Sequence, residues 1–222
     1  MWFLQPGISM LDVLMRIFAT LVIIFLVMPL HEYAHGWVAK KLGDRTAELS
    51  GHMTLNPMSH FDPLGAFSVL VFDIGWAKSV PIDSKNFKHP RRDLALTALA
   101  GPLTHVIAAI LGTVLLNSTA FLAGISFIGP IQKFLSYYII INISLAGFNF
   151  LPIPPFDGYK ILECLIPNKY LLKYYRYYPL ILLFLLGLML FGFFEIPLMF
   201  IRQSLYGFVM KLGNLPFMVF MK

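Results

Sequence analysis

Cysteine is almost missing from this chain. Cys164 stands alone, so no intramolecular disulfide closes and no cysteine-based metal site forms. Charge is scarce as well. Only 13% of residues are Asp, Glu, Lys or Arg, about half the share usual in a soluble domain. No long polar stretch exists from which a soluble sensor or binding module could be built, and there is no low-complexity segment. No internal repeat is visible, which counts against a transporter, since transporters often carry inverted repeats. What the 222 residues hold instead is apolar: 58% hydrophobic, 21 phenylalanines, a mean hydropathy of +0.75. This composition predicts one compact integral membrane domain over residues 1–222.

The net charge of +6 does not point to nucleic acid. The basic residues sit beside hydrophobic segments, as the positive-inside bias requires, and no nucleic-acid-binding fold is visible. The start of the chain lacks a basic region, and no small-residue cleavage site precedes residue 31, so it is not read as a signal peptide. The first apolar segment, 8–38, is expected to be a retained helix loosened at Pro29, which frees the carbonyl of Phe25. In lipid that carbonyl needs another partner, so a neighbouring segment should pack at its depth.

Further apolar runs at 93–116, 131–150 and 180–200 give about four spans in all. The piece 64–74 is too short to cross. It enters Gly75-Trp76-Ala77-Lys78-Ser79-Val80-Pro81-Ile82, whose alternation predicts a re-entrant or short β-hairpin element. The fold expected is therefore an all-α membrane protein with a core over 8–165. Residues 179–222 should form a last span and an interfacial tail. Three basic groups give the topology: Lys40, Lys41 and Arg45; Lys78, Lys85, Lys88, Arg91 and Arg92; and Lys160, Lys169, Lys173 and Arg176. All three face the cytoplasm only if 40–92 does not cross.

The chemistry is concentrated in His31-Glu32-Tyr33-Ala34-His35. Two histidines four apart share one helix face, where their ring nitrogens can converge on one metal ion with Glu32 beside it as a proton carrier. H-E-x-x-H is the pattern of helical zinc hydrolases. Polar groups at a membrane helix end are costly and mark function. A catalytic zinc needs a third protein ligand and one open position. The candidates are His52, His60, Asp62, His105 and Asp157. Asp157 lies just past the third span, on the same inferred side as His31, in a proline-stiffened turn with Gly158 permitting close approach. The plainer alternative is that Asp157 caps a helix over 159–165, and both readings stay open on these residues alone.

The motifs H-E-Y-A-H-G at 31–36, L-N-P-M-S-H-F-D-P-L-G at 55–65, G-W-A-K-S-V-P-I at 75–82, A-G-P at 100–102 and N-F-L-P-I-P-P-F-D-G at 149–158 resemble the site-2 protease family. These are the M50 intramembrane zinc metalloproteases, and the likeness is to their short bacterial members. The motifs stand in family order over residues 20–165. The resemblance implies that His31, His35 and Asp157 ligate one Zn2+ per chain and that Glu32 is the general base. It implies that Asn149 helps hold the substrate or the developing oxyanion, and that 75–82 lies beside the substrate. A structural role is expected for His60 and Asp62. Where the family often carries Asn after A-G-P this chain has His105, and Ser79 replaces a frequent Pro.

The function so implied is hydrolysis of peptide bonds in or near the membrane segments of single-pass membrane proteins or peptides. The protein would sit in the bacterial cell membrane with its site towards the cytoplasm. A metal-binding transporter or channel without hydrolysis is the alternative, and an idle scaffold the third reading. Glu32 separates them, because a transporter has no need of a carboxylate beside the first histidine. Trp2, Trp37 and Trp76 read as interfacial anchors and Cys164 as a small buried apolar residue.

Overall fold

The computed structural model describes residues 7–72, 75–122, 124–125, 127–154, 156–190 and 192–217. Trp2, Pro155 and the end of the 64–74 piece lie outside them. A single long helix, α1 (Met10–Leu42), opens the fold. Ser9 and Asp12 start it with a reciprocal capping box, which satisfies two amides that a helix start leaves open. The loosening expected at Pro29 is present one turn earlier. Residues Ile23–Val27 form a π-turn, and the Met28 amide reaches back to Ile23 O. Such a bulge absorbs the bond that a proline cannot donate. A neighbouring segment does pack at this depth: the Phe61 ring stacks on Phe25, with centroids 5.9 Å apart, and Val69 joins Ile23, Val27 and Met28 in one buried cluster.

A polar connection follows. It carries helical turns at Thr46–Leu49 and Pro57–His60 and the short helix α2 (Pro63–Phe72). Its two ends meet. Asp44, 1% exposed, accepts the amides of Asp83 (2.8 Å) and Thr46 (3.0 Å) and the side chain of Asn86 (2.8 Å). The connection thus leaves and returns at one end of α1, as the charge pattern required. Burial pushes the Asp44 carboxyl up, but the bonds from Thr46, Asn86 and Asp83 outweigh it and hold the group below the usual carboxylate range. A depressed folded value contributes stability at pH above about 4, lost as pH falls through that value. Thermal unfolding in detergent should therefore show acid destabilisation. Asp44→Asn should lower stability at neutral pH by about 1–3 kcal/mol and flatten the acid dependence. An unchanged acid profile in the variant would contradict this.

The next helices are α3 (Pro90–Ser118) and α4 (Ile128–Asn149), antiparallel neighbours. With α1 they are the three described helices long and apolar enough to cross a membrane. Leu103, Ile107, Leu111 and Leu115, four residues apart along α3, are 46–58% exposed. An apolar stripe of that length facing outward fits lipid and not water. Buried between α3 and α4, Val106, Ala109, Ile139, Ile143 and Ala146 interlock, and α1 joins them through Ala19, Ile23 and Ile24, which cluster with Ala108 and Ile141.

The end of the chain differs from the sequence reading. The apolar run 180–200 is not one span. It is divided between α6 (Asn168–Leu190) and α7 (Glu195–Asn214), with α5 (Asp157–Glu163) preceding both. Between them the chain turns through Gly192 at φ +76°, and Phe193 donates to Leu188 O to close α6. Of the part expected as an interfacial tail, 201–214 belongs to α7, which lies along α3 and α4, while 218–222 lie outside the described residues. Leu198 and Arg202 meet Gly147 at one end, and Gly213 meets Thr113 at the other. The 75–82 segment has no regular secondary structure, and no strand is formed among the described residues. Its amides go elsewhere, as the site explains.

Candidate metal centre

Helix α1 carries His31, Glu32 and His35 to a point enclosed by α3, α4 and α5. The two imidazoles stand edge to face, centroids 4.7 Å apart, with their Nε2 atoms 3.1 Å from each other. Asp157 completes the set. Its Oδ2 lies 3.3 Å from His31 Nε2 and 3.1 Å from His35 Nε2. All three residues are buried. Tetrahedral zinc at bond lengths of ~2.0–2.1 Å sets its ligand atoms about 3.3 Å apart, and these donors have that spacing. Among the described residues this is the group able to hold a metal ion.

Two close approaches make the arrangement possible. At Gly158 an added Cβ would lie 2.5 Å from the carbonyl oxygens of both Phe150 and Leu151, so only glycine lets α5 start against the end of α4. Gly101 of α3 faces the donors. A Cβ there would stand 2.3 Å from His35 Nε2 and 2.5 Å from His31 Nε2. That point is within reach of a metal–ligand bond from both nitrogens. The missing side chain leaves space beside the two histidine nitrogens.

Surrounding groups hold the donors in form. His35 Nδ1 donates to Thr97 O at 2.7 Å, which leaves Nε2 with its lone pair. The Lys160 ammonium donates to Asp157 Oδ1 at 3.2 Å, while Oδ2 turns to the histidines. Asp157 is the first residue of α5 and Phe156 occupies the capping position without a side-chain cap. The helix-capping reading therefore fails.

Glu32 lies on the same face of a cavity of about 350 Å³ lined by Met28, Trp76, Ser79, Leu145 and Phe156. Its Oε2 accepts the Val80 amide at 3.0 Å, the bond that the expected hairpin would have used. Lys78 N donates to His60 O at 2.8 Å. Asn149 lines the cavity too, and one amide hydrogen goes to Leu145 O in its own helix. The other candidates lie apart. His52 bonds Ser50 O. His60 is buried between Thr54 O (2.9 Å) and Lys78 O (3.4 Å), and Asp62 accepts the Gly65 amide at the start of α2. His105 sits beside the centre, its ring 5.1 Å from that of His31. Sequence reasoning missed Gly101, Thr97 O and the Val80 amide. Only the A-G-P motif gave any signal of the first, and a backbone partner leaves no mark in side-chain identity.

The family model for peptidase family M50 matches residues 118–190. YwhC of Bacillus subtilis is 41% identical over 141 residues, covering 62% of this chain and 64% of that protein. Over these residues the chain is similar to peptidase family M50 and to that protein. The matched region holds Asn149 and Asp157, while the histidine pair lies outside it. Rip2 of Mycobacterium tuberculosis is 28% identical over 144 residues, 60% of this chain and 52% of its own length. MJ0392 of Methanocaldococcus jannaschii is 29% identical over 150 residues, 67% and 34%. All three are named as zinc metalloproteases, the first two provisionally. The chain spans less than two thirds of the length of each. No solved structure matches it at a significant level. With three apolar helices of spanning length, the chain is an integral membrane protein.

Proposed function

We propose that this chain is an intramembrane zinc metalloprotease of the M50 type that hydrolyses peptide bonds in or near the transmembrane segments of other membrane proteins. The observation that carries the reading is the convergence of His31, His35 and Asp157 at 3.1–3.3 Å, with Glu32 beside them, at the end of a membrane helix. In this reading His31, His35 and Asp157 hold one zinc ion per chain. The ion supplies Lewis acidity, which polarises a scissile carbonyl and acidifies water.

The remaining steps belong to the protein. Glu32, its Oε2 steadied by the Val80 amide, takes the proton of the attacking water through its other oxygen. It then hands that proton to the departing amine. Asn149, with an amide hydrogen to spare beyond its bond to Leu145 O, faces the cavity from α4 and supports the oxygen on which negative charge develops. The site lies at the end of α1 that bears Lys40 and Lys41, which the positive-inside bias assigns to the cytoplasm. The bacterial cell membrane is the proposed location. Water enters from that side, and the substrate arrives through the lipid.

A substrate helix keeps its carbonyls in internal hydrogen bonds, so it must unwind before attack. Cleavage of a single-pass substrate should rise when Gly or Pro is placed beside the scissile bond, followed on gels with protein reconstituted in vesicles. Equal cleavage of an uninterrupted leucine helix would overturn this part of the reading.

A further inference from the structure

The two histidines of the centre are not equally supported. His35 donates from Nδ1 to Thr97 O. His31 Nδ1 is buried and has no hydrogen-bond partner. A histidine that ligates through Nε2 carries its proton on Nδ1, and that N–H ordinarily has an acceptor that fixes the ring. One is missing here.

The acceptor is available in the next ring. His105 is buried one turn along α3 from Gly101, with its centroid 5.1 Å from that of His31. Its tautomer follows from its neighbours. Asn142 donates from Nδ2 to Tyr138 O at 2.9 Å, which turns Oδ1 towards His105 Nδ1, also at 2.9 Å. A carbonyl oxygen only accepts, so Nδ1 of His105 carries the hydrogen and Nε2 of the neutral ring is a bare lone pair. Nitrogen-to-nitrogen bonding at ~2.9 Å sets two imidazole centroids roughly 5 Å apart. The rings already stand at that separation. No bond joins them here, and what it requires is a change of ring orientation without a change of distance.

We infer that His105 is a positioning residue for the metal centre: its Nε2 accepts the Nδ1 hydrogen of His31, completing a relay Tyr138 O–Asn142–His105–His31 that locks the first ligand. The inference rests on the metal reading given above. It gives His105, where the resemblance leads one to expect Asn, a role through His31 and not on substrate.

The test is Co2+ binding by the full chain in detergent, titrated by the visible d–d absorption of the bound ion, with apoprotein melting temperature as the fold control. Removing the acceptor in His105→Leu should weaken cobalt binding about 10–100-fold and shift the d–d bands, since His31 loses its fixed orientation. His105→Gln, which keeps an acceptor oxygen, should recover most of the affinity. Asn142→Leu, one link further from the metal, should give a smaller loss. Wild-type affinity and bands in His105→Leu would overturn the inference and leave the metal centre standing. Equal loss in the Leu and Gln variants would overturn it as well, by reducing His105 to packing. A wild-type chain that binds no cobalt would remove the metal reading itself, and this inference with it.

Discussion

Replacing Glu32 by Gln is expected to lower peptide-bond hydrolysis about 10²–10⁴-fold while bound zinc stays unchanged. The carboxylate is not among the three converging donors. It stands beside them, accepting the Val80 amide at 3.0 Å, and the glutamine oxygen can still accept that bond. What the amide cannot do is take a proton from water and return it to an amine. Metal content by elemental mass spectrometry and cleavage of a reconstituted single-pass substrate measure the two effects separately. Cleavage at the wild-type rate by Glu32→Gln would remove Glu32 from the chemistry. Loss of zinc together with activity would make it a ligand. Zinc flux into vesicles that survives the substitution, with no peptidase activity in either protein, would instead favour transport.

The second large effect is expected from a single methyl group. Gly101→Ala puts a carbon 2.3 Å from His35 Nε2 and 2.5 Å from both Nε2 and Cε1 of His31, closer than a side-chain carbon can stand to either ring. The methyl must push the two ligand rings out of their converging positions. The variant should purify without zinc and without activity. Relief of the clash should cost about 1–3 kcal/mol, so the fold survives with a lowered melting temperature. Gly129→Ala in α4 is the control, because a Cβ there meets nothing within 4 Å, and zinc and activity should both be retained. Full zinc occupancy in Gly101→Ala would show that the ion sits elsewhere.

The parts of this protein legible beforehand are those where chemistry is local. His31 and His35 share a face because they are one helical turn apart, and Pro29 disturbs α1 because it lacks a donor. Both were readable from spacing. Asp157 was harder: a carboxylate followed by glycine at a helix start also reads as a cap. Only the fold reveals that its Oδ2 meets two imidazoles 122 and 126 residues earlier in the chain. The alternation at 75–82 was real, but pairing needs a second strand. Here Glu32 and the His60 carbonyl take two of the amides instead. Residues 180–200 read as one span because apolar composition does not mark where a chain turns, and Gly192 takes that turn within the run. Scattered basic residues, Arg202 among them, gave 201–222 the look of an interfacial tail. In the fold its guanidinium lies over the Phe148 ring at 5.3 Å and its stem packs on Gly147, so a long basic side chain covers apolar surface. Gly101 was silent because its importance lies in an absent side chain.

Most direct is a zinc count on purified wild-type protein and on Asp157→Ala, each checked for a cooperative melt. One zinc per chain in the wild type, with loss of that zinc from a folded Asp157→Ala, is the expected result. Full zinc in the variant, or none in either protein, would contradict the claim that an aspartate from α5 closes a site opened by the histidines of α1.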